Sequence, residues 1–87
     1  MEQNDIIQEL QLFIRKQFNV PANDTDFNDE VHLFDYGYVD SFGAVELTNF
    51  VESKFSVKIG QNDMIAYPLN TIREIASFVV RRRKGEI

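Results

Sequence analysis

The sequence of 87 residues contains no cysteine and no tryptophan, and it has two prolines, four glycines and one histidine. Without cysteine the chain can form no disulfide, no thiolate metal site and no thiol nucleophile. Thiol chemistry therefore requires a thiol supplied from outside the chain. A serine–histidine–aspartate triad would depend on His32, which lies in an acidic stretch with no nucleophile motif beside it. These absences disfavour an enzyme.

The chain also lacks a long hydrophobic run. The longest, such as residues 78–80, are far too short to span a membrane. Glu2 and Asp5 stand near the start, where a secretory signal peptide needs positive charge. We therefore expect a cytoplasmic protein with no membrane partner. A chain of this length can bury one small core, so we expect a single domain over residues 1–87 and little room for a catalytic cleft.

Basic residues are missing from the middle of the chain. No Lys or Arg lies between Gln17 and Ser53, whereas eight Asp and Glu do, so this stretch has a net charge of 0 − 8 = −8. Such a stretch repels nucleic acid and attracts basic proteins or cations. The basic run at residues 81–84 is best interpreted as the last turn of a helix, where cations offset the helix dipole. No nucleic-acid partner is expected.

Hydrophobic periodicity predicts four helices, and only the brief stretch 56–59 alternates as a strand would. Asp40 is placed as the N-cap of the second helix, Pro68 ends the short third one, and Thr71 with Glu74 has the spacing of a capping box for the last. The predicted helices are Gln3–Phe18, Ser41–Phe55, Gln61–Ala66 and one that follows Thr71. The fold class is therefore all-α: a four-helix bundle of three long helices and one short helix.

The long segment between the first two helices has no sustained periodicity and is predicted to be a loop, held to the core by Val31, Leu33 and Phe34. Loops of this length within a compact domain are more often functional than idle.

Part of this loop partially matches a calcium-binding EF-hand. Asp24, Asp26 and Asn28 occupy its first three ligand positions. However, Asp29 stands where the sharp turn requires Gly, and Asp35 stands where a bidentate Glu belongs. A solvated, Asp- and Asn-rich loop is therefore favoured over a calcium-responsive module, and we expect no metal site.

The remaining motif is Gly37, then Asp40, Ser41 and Phe42, followed by Val-Glu-Leu at residues 45–47. This pattern resembles the acyl carrier protein family, in which a Gly precedes an Asp-Ser pair that opens a helix. The family has an apolar residue directly after the Ser and a Val-Glu-Leu-like triplet four to six residues after it. The resemblance covers nearly the whole chain and implies a four-helix bundle in which Ser41 carries 4′-phosphopantetheine.

Two positions depart from that pattern. Phe42 replaces the commoner Leu or Met, and Gly43 occupies a position that is often acidic in fatty-acid carriers. An Asp-Ser-apolar-Gly start is reminiscent of discrete carriers for aminoacyl groups, including D-alanyl carriers. The resemblance thus leaves acyl and aminoacyl cargo open, in fatty-acid, polyketide or related biosynthesis.

The resemblance implies a monomeric carrier that catalyses nothing and carries thioesters on the arm. Its implied partners are a phosphopantetheinyl transferase, an acyl- or aminoacyl-loading ligase and downstream synthase enzymes. The physical chemistry agrees, because the first turn of a helix favours an anion such as a phosphodiester. The alternative from another class is a small acidic helical interaction domain without a prosthetic group.

A count at 100° per residue divides the second helix into two faces. Leu47, Val51 and Phe55 form a core stripe at about 140° to 220° from Phe42, whereas Val45 and Asn49 lie at about 300° and 340°. A partner-binding patch beside Ser41 is therefore predicted, unless Phe42 folds back under the long loop as a core residue. Its members are Asp40, Phe42, Val45, Glu46, Asn49 and Glu52.

Overall fold

The computed structural model describes residues 2–87 and contains four helices. They are α1 (Gln3–Gln17), α2 (Ser41–Phe55), α3 (Gln61–Ala66) and α4 (Ile72–Arg83). The predicted bounds of α2 and α3 are confirmed, and α1 ends one residue earlier than predicted, with Phe18 as its C-cap. Within residues 2–87 there is no strand, so the stretch 56–59 only connects α2 to α3. The all-helical fold with a long loop after α1 is confirmed.

One apolar side of each long helix forms the core. The predicted stripe of α2 is confirmed, since Leu47, Val51 and Phe55 are all buried. α1 and α4 pack directly against each other and contribute further buried apolar side chains. These are Ile6, Ile7, Leu10 and Ile14 of α1, and Ile72, Ile75, Ala76, Phe78 and Val79 of α4.

The capping box at the start of α4 is confirmed. The Thr71 hydroxyl accepts a hydrogen bond from the Glu74 N–H at 3.0 Å, and the Glu74 carboxylate accepts from the Thr71 N–H at 3.2 Å. The same carboxylate accepts from the Asn70 N–H at 2.9 Å. Three backbone donors at or just before the start of α4 are thus paired.

The long loop is held to the bundle at several points. Val31 and Leu33 are buried as predicted, and Phe34 is half-buried against the core. Val20, Phe27 and Val39 are buried as well, which the sequence did not indicate. Backbone hydrogen bonds join the Leu33 N–H to Asn70 (2.9 Å) and the Arg73 N–H to Asp29 (2.9 Å). The loop therefore packs as part of the fold, and these contacts fix the position of the chain where it reaches Ser41.

The oxygens of the EF-hand-like stretch bind donors of the loop itself. The Asp24 carboxylate accepts from the backbone N–H groups of Asp26 (2.8 Å) and Phe27 (3.2 Å) and from the Tyr38 hydroxyl (3.0 and 3.1 Å). The Asn28 side chain accepts from the Glu30 N–H. Across residues 2–87 no group of three potential ligands is arranged to hold a metal ion. These side chains shape the loop by Asx turns.

The basic run at the end of α4 connects helices. Arg81, Arg82 and Arg83 do lie in the last turn of α4, as interpreted from the sequence. Arg82 also pairs with Asp63 of α3 at 2.5 Å, and Arg83 donates a hydrogen bond to the carbonyl of Phe55 at the end of α2. The run therefore holds α3 and α2 against α4.

The burial difference between two α2 residues gives a stability prediction. Leu47→Ala should lower the free energy of unfolding by about 2–5 kcal/mol because it leaves a cavity. Phe42→Ala should lower it by less than about 0.5 kcal/mol, because the Phe42 side chain is 75% exposed. Urea denaturation of both variants measures the two values. Equal destabilisation would mean that Phe42 belongs to the core.

The Asp24–Tyr38 hydrogen bonds give a prediction on pH. Burial raises the pKa of Asp24, but the hydrogen bonds from Asp26, Tyr38 and Phe27 lower it by a larger amount. The pKa of Asp24 therefore lies below the usual 3.8. A lowered carboxyl pKa stabilises the fold above the unfolded-state value, and this stabilisation is lost as pH falls through the folded-state pKa. Tyr38→Phe should therefore be less stable than the parent at neutral pH, and the gap should shrink below pH 3.8.

Urea melts at neutral and acidic pH measure that gap. Tyr36→Phe is the matched control, because the Tyr36 side chain is 68% exposed. A gap for Tyr38→Phe that stayed constant with pH would show that the hydroxyl acts independently of the carboxylate.

Candidate functional site

Ser41 is the first residue of α2, and its side chain is exposed. The helix begins here because Asp40 has an extended backbone (φ −91°, ψ −177°) and caps the first turn. The Asp40 carboxylate accepts from the Gly43 N–H at 2.7 Å, and the Asp40 carbonyl accepts from the Ala44 N–H at 2.8 Å. The predicted N-cap is confirmed.

The first turn of α2 keeps free donors next to Ser41. Among the hydrogen bonds of residues 2–87, the backbone N–H groups of Ser41 and Phe42 have no protein acceptor. Free N–H groups and the positive end of the helix dipole together favour an anion at this position. The site therefore fits a phosphodiester on the Ser41 hydroxyl.

A tight turn leads the loop into this helix. Gly37 has φ +78°, a conformation that other residues rarely adopt, and its N–H donates to the Phe34 carbonyl at 3.1 Å. A side chain at Gly37 would meet no neighbouring atom, so glycine is required here for its backbone freedom alone. Two residues later, Val39 is buried and its N–H donates to the Leu33 carbonyl at 3.0 Å. The turn and Val39 fix the approach to Asp40.

The exposed face of α2 matches the predicted orientation. Phe42 is 75% exposed and Val45 is 60% exposed, so the alternative in which Phe42 joins the core is wrong. Asn49 is exposed too. Exposed apolar side chains with polar groups around them form a candidate binding surface.

The two glutamates of the predicted patch, Glu46 and Glu52, are only half-exposed, because each contacts another part of the chain. The Glu46 carboxylate accepts from the Gln17 side chain at 2.8 Å. The Glu52 carboxylate accepts from the Ile59 N–H at 2.8 Å and thus stabilises the connection to α3. The structure therefore gives Glu52 a role within the fold that the sequence did not indicate.

α3 carries two further exposed apolar side chains that were not predicted from the sequence. Ile65 is 85% exposed and Met64 is 50% exposed. α3 itself buries no residue. A helix of six residues is too short for its apolar pattern to show which side faces the core, so these residues carried no usable signal.

An apolar cavity of about 190 Å³ lies beside α2, closed on its other sides by the long loop, by α3 with its flanking segments and by α4. From α2 it is lined by Ala44, Leu47, Thr48 and Val51, and from α3 by Met64. Ala44 and Thr48 follow Ser41 by three and seven residues, so they lie on the same side of α2 as Ser41. A group tethered to Ser41 thus has an apolar cavity along its own side of the helix.

The chain matches the model of one protein family, described as phosphopantetheine attachment site, over residues 8–79. This range holds all of α2, α3 and the long loop and most of α1 and α4. No curated protein matches the chain significantly.

The match extends over most of the chain and agrees with the all-helical fold. It confirms the covalently attached 4′-phosphopantetheine and the absence of catalysis by the carrier itself, and carriers of this type interact with modifying and synthase enzymes. Among residues 2–87, none of the helices combines the length and the hydrophobicity of a membrane span. The chain belongs to the phosphopantetheine attachment site family and is a phosphopantetheine carrier protein of the acyl carrier type.

Proposed function

We propose that Ser41 is the residue that carries the phosphopantetheine arm. The observation that supports this most is its place as the exposed first residue of α2, beside two free backbone donors. The other serines of the chain are Ser53 in the last turn of α2, Ser56 just after it and Ser77 within α4. Ser41 is thus the one serine that begins a helix, where a phosphate is favoured.

A separate transferase is needed to attach the arm, because a serine hydroxyl without a general base is a poor nucleophile. Within residues 2–87 no side chain hydrogen-bonds to the Ser41 hydroxyl. The nitrogen His32 Nδ1 accepts from the Asp35 N–H at 3.0 Å, so the one histidine is engaged within its own loop. The arm, once bound, supplies the thiol that the chain lacks, and acyl or aminoacyl groups are carried on it as thioesters.

The partner surface that we propose comprises the six residues predicted from the sequence: Asp40, Phe42, Val45, Glu46, Asn49 and Glu52. Its support is the exposure of Phe42 and Val45 and the net charge of −8 of the stretch of sequence, residues 18–52, to which they belong. The transferase, loading ligase and synthases would then approach with Lys and Arg around their entrances. The cytoplasmic location, the monomeric state and the single domain over residues 1–87 stay predictions.

The cargo that we propose is an acyl or aminoacyl group of fatty-acid, polyketide or related biosynthesis. Gly43 was the residue that suggested an aminoacyl cargo. Its presence is explained by packing, independently of the cargo, because a Cβ atom there would lie 2.6 Å from the Phe18 ring. The cavity favours a cargo with a short apolar part. Its volume of about 190 Å³ exceeds that of an engineered cavity of about 150 Å³ that binds benzene, so it has room for about six carbons.

Ser41→Ala should abolish incorporation of phosphopantetheine and leave stability nearly unchanged, since an exposed first-turn serine contributes little. The measurement is the intact mass after treatment with a phosphopantetheinyl transferase and coenzyme A. Ser53→Ala is the matched control and should accept one arm. Full modification of Ser41→Ala would show that another residue carries the arm, and an unmodified parent would favour the acidic interaction domain.

Electrostatic docking predicts that transferase kcat/KM falls as salt rises, and that Glu46→Lys lowers it further at low salt. Glu46→Gln keeps an acceptor for Gln17 and separates loss of charge from loss of the hydrogen bond. Glu86→Lys is the matched control, because Glu86 follows the turn beyond Arg83, which contacts the far end of α2. A transferase kcat/KM that changed neither with salt concentration nor with Glu46→Lys would contradict electrostatic docking.

Loading should reveal whether cargo enters the cavity. A hexanoyl group seated there stabilises the folded state, so hexanoyl-loaded protein should melt at a higher temperature than alanyl-loaded protein. Ala44→Leu, which adds three carbons to the cavity wall, should remove the difference. Equal melting temperatures for both loaded forms of the parent would mean that the cargo stays outside.

A further inference from the structure

Gly43 has no space for a side chain. It is buried in the first turn of α2, and a Cβ atom at this position would lie 2.6 Å from Phe18 Cε1 and 3.2 Å from Phe18 Cζ. The same Cβ would lie 3.2 Å from the Asp40 carboxylate oxygen that caps the helix. A single added carbon would therefore press on both the aromatic ring and the cap.

The Phe18 ring is itself held in place. Phe18 is the C-cap of α1, and its N–H donates to the Ile14 carbonyl at 3.0 Å. Its ring meets Phe13 edge-on, with centroids 6.0 Å apart, and Phe13 stacks on Phe50 of α2 at 4.0 Å. Phe13, backed by Phe50, limits movement of the half-buried Phe18 ring on one side, so the end of α1 restricts how closely the first turn of α2 can approach.

Ser41 lies in that same turn, two residues before Gly43. Any displacement of the turn moves the serine hydroxyl, which must meet a transferase in a defined geometry. A misplacement of about 1 Å can lower a reaction rate about a hundredfold. The hydrogen bond between Gln17 and Glu46 is a second link between the end of α1 and the N-terminal half of α2.

We propose that Phe18 and Gly43 are positioning residues for modification of Ser41: the ring fills the space that glycine leaves and so fixes where the serine stands. The proposal rests on Ser41 being the attachment residue. Neither Phe18 nor Gly43 touches the transferred group, and both act through the first turn of α2.

The test begins with Gly43→Ala. Transferase kcat should fall about tenfold to a hundredfold, with KM for the carrier within about threefold of the parent value, because geometry at the serine changes while the docking surface does not. The Ser41 amide signal of the unmodified protein should shift in a nitrogen–proton NMR spectrum. Gly60→Ala is the matched control, because its Cβ would lie 3.6 Å from the nearest atom, and it should leave kcat and the Ser41 signal unchanged.

Rescue distinguishes the Phe18 contact from other effects of alanine. Phe18→Leu removes the ring atoms Cε1 and Cζ and keeps an apolar side chain, so the double variant Phe18→Leu/Gly43→Ala should recover kcat to within about threefold of the parent. The Ser41 amide signal should return with it. Circular dichroism confirms that each variant is folded at the assay temperature.

Several outcomes would overturn the proposal. They are parental kcat in Gly43→Ala, a fall in kcat without a shift of the Ser41 signal, and a double variant as slow as Gly43→Ala. If Gly43→Ala does not fold, Phe18→Ala carries the test: it must lower kcat by at least about threefold and shift the Ser41 signal. Peptide mapping of the modified parent first locates the arm, so an arm on another residue refutes the attachment site separately from the positioning contact.

Discussion

The hydrogen bond from the Gly43 N–H to the Asp40 carboxylate fixes the start of α2, and the functional surface depends on that start. Given this first residue, Ser41 is exposed at the positive end of the helix, Phe42 and Val45 face outward, and Leu47 begins the buried stripe. A shift of the chain by one position would rotate every side chain by about 100° and turn Leu47 out of the core. Because this hydrogen bond sets where α2 begins, it also sets which side of the helix carries Ser41, which side exposes Phe42 and Val45, and which side packs in the core.

Much of the fold could be predicted because the signals are local. Asp40 caps α2, Pro68 ends α3, and Thr71 with Glu74 caps α4, and each of these devices acts within a few residues of its own position. The burial of Phe27 and Val39 in the long loop could not be predicted. Both residues belong to a core cluster that they share with residues of the helices, and a loop has no periodicity from which an inward direction could be derived.

At the functional site, too, some features follow from neighbouring residues in the sequence and others from contacts with more distant residues. Ser41 and the outward direction of Phe42 follow from the cap and from helical geometry. The need for Gly43 does not, because the ring that requires it belongs to another helix, 25 residues earlier in the sequence. The same holds for Glu52, whose carboxylate binds the Ile59 N–H beyond the end of its helix. A glycine within an isolated helix lowers the stability of the helix by about 1 kcal/mol relative to alanine. At position 43, however, the fold requires glycine.

α3 differs from the other helices because it buries no side chain, and the Arg82–Asp63 ion pair connects it to α4. A segment with so few buried apolar contacts opens at a free-energy cost far below that of global unfolding. Amide hydrogens of residues 61–66 should therefore exchange with solvent while those of α1, α2 and α4 stay protected. Opening of these six residues would remove the part of the cavity wall that Met64 contributes without unfolding the rest of the bundle.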